Sequence, residues 1–208
     1  MSKNRSLLLN FLSFFFLIYG TFAMDYAVYQ DNASWIFWIC YVGLIMMGFG
    51  IWFRYARVII SQLYILTIPV VIWLVDFGSR LLTGTHWFGT TEYFFGDLLP
   101  GARLVSLEHF IILPLGYLAL WLVGGKIRGA WIISLAEVTL LYVIGRLWSE
   151  AGQNVNCVFN SCFPYVPDDQ WYPLRWFLLI FGMIGLTWLV LTLILSFLKR
   201  QGYNKNIS

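Results

Sequence analysis

Charge is what this sequence has least of. Only 11% of its 208 residues are Asp, Glu, Lys or Arg, against roughly 25% in a soluble domain. A chain so poor in charge cannot clothe a water-facing surface, which excludes an ordinary soluble fold. Histidine occurs twice and cysteine three times, with no spacing typical of a zinc site, so we expect neither a metal nor a cofactor. No glycine-rich phosphate loop, nucleic-acid module, internal repeat, heptad run or low-complexity tract is present. The net charge of +3 therefore speaks of topology rather than of a nucleic-acid partner.

Apolar residues make up 60% of the chain, and they come in blocks. A bilayer span needs roughly 20 consecutive apolar residues. Residues 7–24, 35–53, 58–75, 105–123, 130–147 and 174–198 each approach that length. None alternates as a barrel strand does, and in lipid a helix satisfies its own backbone groups. The expected fold is a single all-α domain over 1–208, a polytopic transmembrane helix bundle of six spans.

The connections alternate in sign. Lys3 and Arg5, Arg54 and Arg57, Lys126 and Arg128, and Lys199, Arg200 and Lys205 flank one set of span ends, without Asp or Glu between them. The other connections hold Asp25, Asp31, Glu92, Asp97, Glu150, Asp168 and Asp169 and no lysine. Lys and Arg near span ends stay in the cytoplasm, so both termini are expected there and the acidic loops outside. A multi-pass protein of a bacterial inner membrane is the expected localisation. The first block, with basic residues before it and Thr21-Phe22-Ala23 at its end, has features of a cleaved signal peptide; its length reads better as a retained anchor.

Cys157 and Cys162 fall in the last acidic loop, where an oxidising compartment permits a disulfide contributing about 2 kcal/mol for so short a loop. Zinc at that pair lacks two further local ligands. Cys40, inside the second block, reads as packing.

Ionisable groups in or beside spans are expensive in lipid and mark function or helix pairing. With the helix directions above, Asp76, Arg80, Arg103, Glu108, His109, Arg146, Glu150 and Arg175 reach one depth, just under the outer surface. Asp76 and Arg80 are spaced to pair along a helix, as are Arg146 and Glu150. Glu137 alone lies near mid-membrane, as a helix–helix hydrogen bond or a proton relay. One reading of the cluster is interfacial, with arginines snorkelling and carboxylates pairing to them. The other is an anion pocket: His109 as acid or base, Asp76 or Glu108 orienting it, and Arg80, Arg103, Arg146 and Arg175 gripping a lipid head group, for which Arg suits better than Lys. A metal would have to use His86, His109 and two carboxylates, or a haem the two histidines. The aromatic stretch Trp87, Phe88, Tyr93, Phe94 and Phe95 predicts a short segment lying on the outer surface. Pro69 and Pro114 interrupt two spans, each freeing a carbonyl.

In order along the chain, Tyr93-Phe94-Phe95, Ser106-Leu107-Glu108-His109, Leu113-Pro114 and Asn154-Val155-Asn156-Cys157-Val158-Phe159 resemble a group of uncharacterised bacterial multispan proteins. In those proteins Tyr-Met-Phe-Asp precedes Ser-Leu-Phe-His and Leu-Pro, and Asn-Ile-Asn-Tyr-Val follows another span. The similarity covers roughly residues 73–160. Gly96 stands where the group has Asp, with Asp97 adjacent, and Glu108 replaces an apolar residue. The resemblance brings no activity; it points to Ser106, His109, Pro114, Asn154 and Asn156, all on the outward side.

Three functions remain open at this level. One is a non-catalytic membrane subunit or assembly factor that contacts lipid, a membrane-protein partner or a second copy. The next is a membrane-embedded enzyme acting on a lipid or lipid-linked substrate. The last is a transporter or channel component, opposed by an inward half nearly free of polar residues.

Overall fold

The structure is a computed structural model and describes residues 3–96 and 100–200. Asp97 and Lys205, used above for orientation, lie outside the described residues, as do the side chains of Lys199 and Arg200. Among the described residues there is no strand. The helices are α1 (Lys3–Tyr29), α2 (Ile39–Trp52), α3 (Ala56–Thr83), α4 (Glu92–Phe95), α5 (Pro100–Ser106), α6 (Glu108–Val123), α7 (Ala130–Trp148) and α8 (Tyr172–Arg200), with single 3₁₀ turns at Ala33–Phe37 and Val155–Cys157.

Among the described residues, five stretches are long and apolar enough to cross a membrane: Lys3–Tyr29, Ala56–Thr83, Pro100–Val123, Ala130–Trp148 and Tyr172–Ile194. The chain is an all-helical protein with the build of an integral membrane protein. The expected second span differs. Its first three residues belong to the 3₁₀ turn, and α2 has only 14 residues. At about 1.5 Å per residue that is roughly 21 Å, short of a hydrocarbon layer of roughly 30 Å.

The reason for the short helix lies in a distant segment. Asn156 reaches across from the loop after α7. Its Oδ1 accepts the Ile39 N–H at 2.8 Å, and its Nδ2 donates to the Phe37 carbonyl at 2.8 Å. An asparagine thereby caps α2 from another part of the chain, meeting a donor that a helix N-terminus otherwise leaves unpaired. Asn154 holds the same loop by accepting the Phe159 and Asn160 N–H groups at 2.9 and 3.1 Å. Both asparagines have positive φ, 41° and 54°, a region asparagine enters more readily than most residues. The Asn-x-Asn signature is thus a backbone-organising device in this chain.

α3 is the central helix, touching α2, α6, α7 and α8, and Ile59, Ile60, Leu63 and Leu66 are fully buried along it. α1 lies along α2 and buries Leu9, Leu12 and Phe16, so the first span is part of the core. Small residues set that seam: a Cβ built on Gly20 would sit 2.9 Å from Ile45 Cδ1, and one on Gly48 only 2.7 Å from Leu17 Cγ. Close backbone approach of this kind drives helix association in lipid, where burial of apolar surface gains nothing. Between α3 and α7, Ser134 donates to the Ser61 carbonyl at 2.9 Å, and Gln62 Nε2 donates to Glu137 Oε2 at 2.6 Å. Glu137 therefore has the geometry of a helix–helix hydrogen bond.

Segments meet at two ends. At one, Arg5 donates to the Leu122 carbonyl at 2.5 Å, and Arg54 of the α2–α3 turn bonds Asn10 of α1. At the other, Ser34 donates to Gln153 Oε1 at 2.7 Å, beside the Asn156 cap.

Candidate functional site

The predicted charged cluster does not form one pocket. Asp76 is fully buried and does not pair with Arg80. Its Oδ1 accepts the N–H groups of Phe88 and Gly89 at 2.6 and 3.3 Å. Its Oδ2 accepts the Thr91 N–H and hydroxyl at 2.8 and 2.7 Å and the Thr90 hydroxyl at 3.3 Å. The Asp76 carboxylate is taken up by the donors of residues 88–91, while Arg80, in the last turn of α3, donates to the Gly84 carbonyl, with its guanidinium 5.8 Å from the Phe95 ring centroid. His86 joins the Asp76 side, with Nδ1 2.9 Å from Thr91 Oγ1 and 3.5 Å from Asp76 Oδ2.

The other arginines are likewise each held by a different neighbour. Arg103 donates to the Gly96 carbonyl at 3.0 Å. Arg146 lies over the Phe159 ring at 4.9 Å. It makes no ion pair with Glu150, because α7 ends at Trp148 and the helical spacing stops there. Arg175 grips Asp169 with both nitrogens at 2.9 Å. That guanidinium, together with the Trp171 N–H, holds the Asp169 carboxyl below its ordinary range. The pair sits at the water-exposed edge of the loop, where such bridges contribute little.

What does converge is smaller. The α5–α6 rod breaks at Leu107, where the Phe110 N–H turns to the Leu107 carbonyl at 3.1 Å. The Ser106 carbonyl is left free, and His109 Nδ1 takes it at 2.9 Å. The Ser106 hydroxyl itself bonds the Ala102 carbonyl at 2.9 Å. The imidazole stacks on Trp73, ring centroids 4.5 Å apart and planes within 13°, and the Trp73 indole is fixed by donating to Tyr93 OH at 3.0 Å. On the far side of the ring, Nε2 stands 3.7 Å from Cys40 Sγ. Glu108 is buried beside it, with Oε1 4.0 Å from His109 Nδ1 and with Oε2 lacking any hydrogen-bond partner.

Sequence reasoning missed Cys40. The signal was available: Cys40 lies near the start of the second block, at the level expected for His109, but a lone cysteine among apolar residues read as packing. His86 and His109, considered together as ligands, serve different groups. Cys157 and Cys162 lie at disulfide distance, Cα atoms 5.7 Å apart.

One cleft of about 480 Å³ runs along α1, lined by Phe11, Phe15, Ile18, Tyr19, Phe22 and Leu104 among others. It is apolar and contains none of the predicted charged residues. Comparison with protein-family models, with curated proteins and with solved structures finds no match.

Proposed function

We propose that this chain is a non-catalytic membrane subunit or assembly factor of a bacterial inner membrane, contacting lipid or a membrane-protein partner. One observation carries this reading: Asp76 and three of the four arginines expected beneath the outer surface are held by polar partners within the chain. Asp76 binds its own loop, Arg80 and Arg103 bind backbone carbonyls, and Arg175 binds Asp169. None is left as a free fork aimed into a shared void, as a head-group enzyme requires. The exposed surface is instead apolar helix, such as Leu178, Leu186 and Leu193 on α8, which suits lipid or another span.

In this reading α2 and the 3₁₀ turn before it complete a sixth crossing, with both termini cytoplasmic. Two compartment reporters test it. One fused at Asn32 is expected outside and one at Gly125 inside; placement of both in one compartment refutes the arrangement.

The enzyme reading keeps one specific support, the His109 Nε2 left uncommitted to backbone beside Cys40, with Glu108 next to the Nδ1 of the same ring. Incubation of the purified protein with a lipid extract of its host membrane separates the two. Mass spectrometry is expected to give the same lipid profile for the unmodified chain and for His109→Ala. Native gels in digitonin are expected to show a particle larger than the detergent-bound monomer. A lipid product that requires His109 moves the assignment to the enzyme, and a bare monomer in mild detergents removes the subunit.

A further inference from the structure

We propose that Cys40, Glu108 and His109 form a zinc site between the first turns of α2 and α6. The inference goes beyond the subunit reading and does not depend on it. The ligand atoms of the three side chains, a thiol sulfur, a carboxylate oxygen and an imidazole nitrogen, all lie within 4.8 Å of one another.

The geometry fits the ion. Zinc binds sulfur at about 2.3 Å and imidazole nitrogen at about 2.0–2.1 Å with tetrahedral angles, which sets the two ligands roughly 3.6 Å apart. Cys40 Sγ and His109 Nε2 are 3.7 Å apart. The tautomer fits as well. His109 Nδ1 bonds the Ser106 carbonyl at 2.9 Å, so Nδ1 carries the proton and Nε2 presents its lone pair toward Cys40. Metal-bound histidines are held in this way by the group behind them, and the Trp73 stack fixes the ring plane.

A second, independent observation points to a missing partner. Glu108 is 1% exposed, and its Oε2 has no hydrogen-bond partner. A carboxylate buried without compensation is costly anywhere and more so in lipid. No arginine approaches it; the four on this side are held elsewhere, as described above. An ion of charge +2 between one thiolate and one carboxylate makes the site neutral, which removes most of the burial penalty. Cys40 also stands in the first turn of α2, at the positive end of the helix dipole, which favours an anionic ligand. On binding, the thiol proton is released to solvent and the sulfur–zinc bond forms. Three protein ligands leave a fourth tetrahedral position for water or an exchangeable ligand, and the His109 side chain is 13% exposed.

The test uses the full chain, purified in mild detergent from zinc-supplemented cells and passed over a weak chelator. Elemental analysis is expected to find one zinc per chain, and Cys40→Ser, Glu108→Gln and His109→Gln each to lose it. His86→Gln and the pair Cys157→Ser with Cys162→Ser are expected to retain it. Cobalt offered to the stripped protein is expected to give a thiolate-to-metal charge-transfer band that Cys40→Ser lacks. Should the variants fail to fold, the unmodified chain still decides the matter: Cys40 is expected to resist maleimide until a strong chelator is added. Copper in place of zinc, zinc retained in Cys40→Ser, or equal maleimide labelling before and after chelation overturns the proposal.

Discussion

Asp76→Ala is expected to lower the melting temperature of the detergent-purified protein by about 10 °C and to release residues 85–91 from α3. The carboxylate receives the N–H groups of Phe88 and Thr91 at 2.6 and 2.8 Å and the Thr91 hydroxyl at 2.7 Å, all in a site with no exposure at Asp76. Hydroxyls rotate to new partners, but the backbone donors do not. A buried donor left unpaired costs about 1–3 kcal/mol, and a hydrogen bond to a charged group contributes about 1.5–3 kcal/mol. The combined loss is of order 4 kcal/mol, and about 2–4 °C of melting temperature follows each kcal/mol in a chain of this size. Amide exchange at Phe88 and Thr91 is expected to accelerate with it. Asp76→Asn keeps the shape but turns an amide N–H₂ toward donors, so an intermediate loss is expected. The pair also separates structure from catalysis. A general base at Asp76 would leave the melting temperature of Asp76→Asn unchanged and abolish an activity; an unchanged melting temperature in Asp76→Ala would refute the loop-anchor role outright.

That residue shows what was legible in the sequence and what was not. Charge sign and apolar run length report height along the membrane normal, because they depend on lipid thickness and on the translocation of loops, both properties of a linear chain. Those signals give the height expected for each segment. Arg5 and Arg54 do share an end, and Asn32 and Gln153 share the other. Direction around each helix was not readable. Asp76 and Arg80 have the spacing of a helical pair, yet the first points inward to residues 88–91 and the second ends the helix on Gly84. Which side of α3 faces protein depends on contacts from distant segments, and no local pattern records them. The same limit hid Cys40, whose neighbours His109 and Glu108 lie on another helix. The shortening of the second span had a further cause: an asparagine more than a hundred residues away caps α2 inside the apolar block. Run length alone counts the 3₁₀ turn as span.

Gly48→Val is the second large effect, and it tests how so short a helix keeps its place. α2 has 14 residues, so its anchorage cannot come from matching the bilayer; it comes from the seam with α1. A Cβ on Gly48 would lie 2.7 Å from Leu17 Cγ and 3.1 Å from the Leu17 backbone nitrogen. The leucine tip can swing away, but the backbone of α1 cannot without parting the helices. Parting also breaks the bond from Ser13 Oγ to the Gly48 carbonyl, 2.9 Å in a fully buried position. Overpacking of this kind costs about 1–3 kcal/mol, and in lipid no hydrophobic gain restores the contact. A fall of at least about 5 °C in melting temperature is expected, with Leu17→Ala in the same chain recovering part of it, since the two sites are coupled through one contact. Gly78→Ala supplies the contrast. It adds the same kind of carbon inside α3 with nothing within 4 Å, and replacing a helical glycine there gains roughly 1 kcal/mol of helix propensity. Opposite signs at Gly48 and Gly78 would establish that close approach of α1 and α2, rather than span length, holds the second helix. Equal effects would mean that the seam carries no special share of the stability.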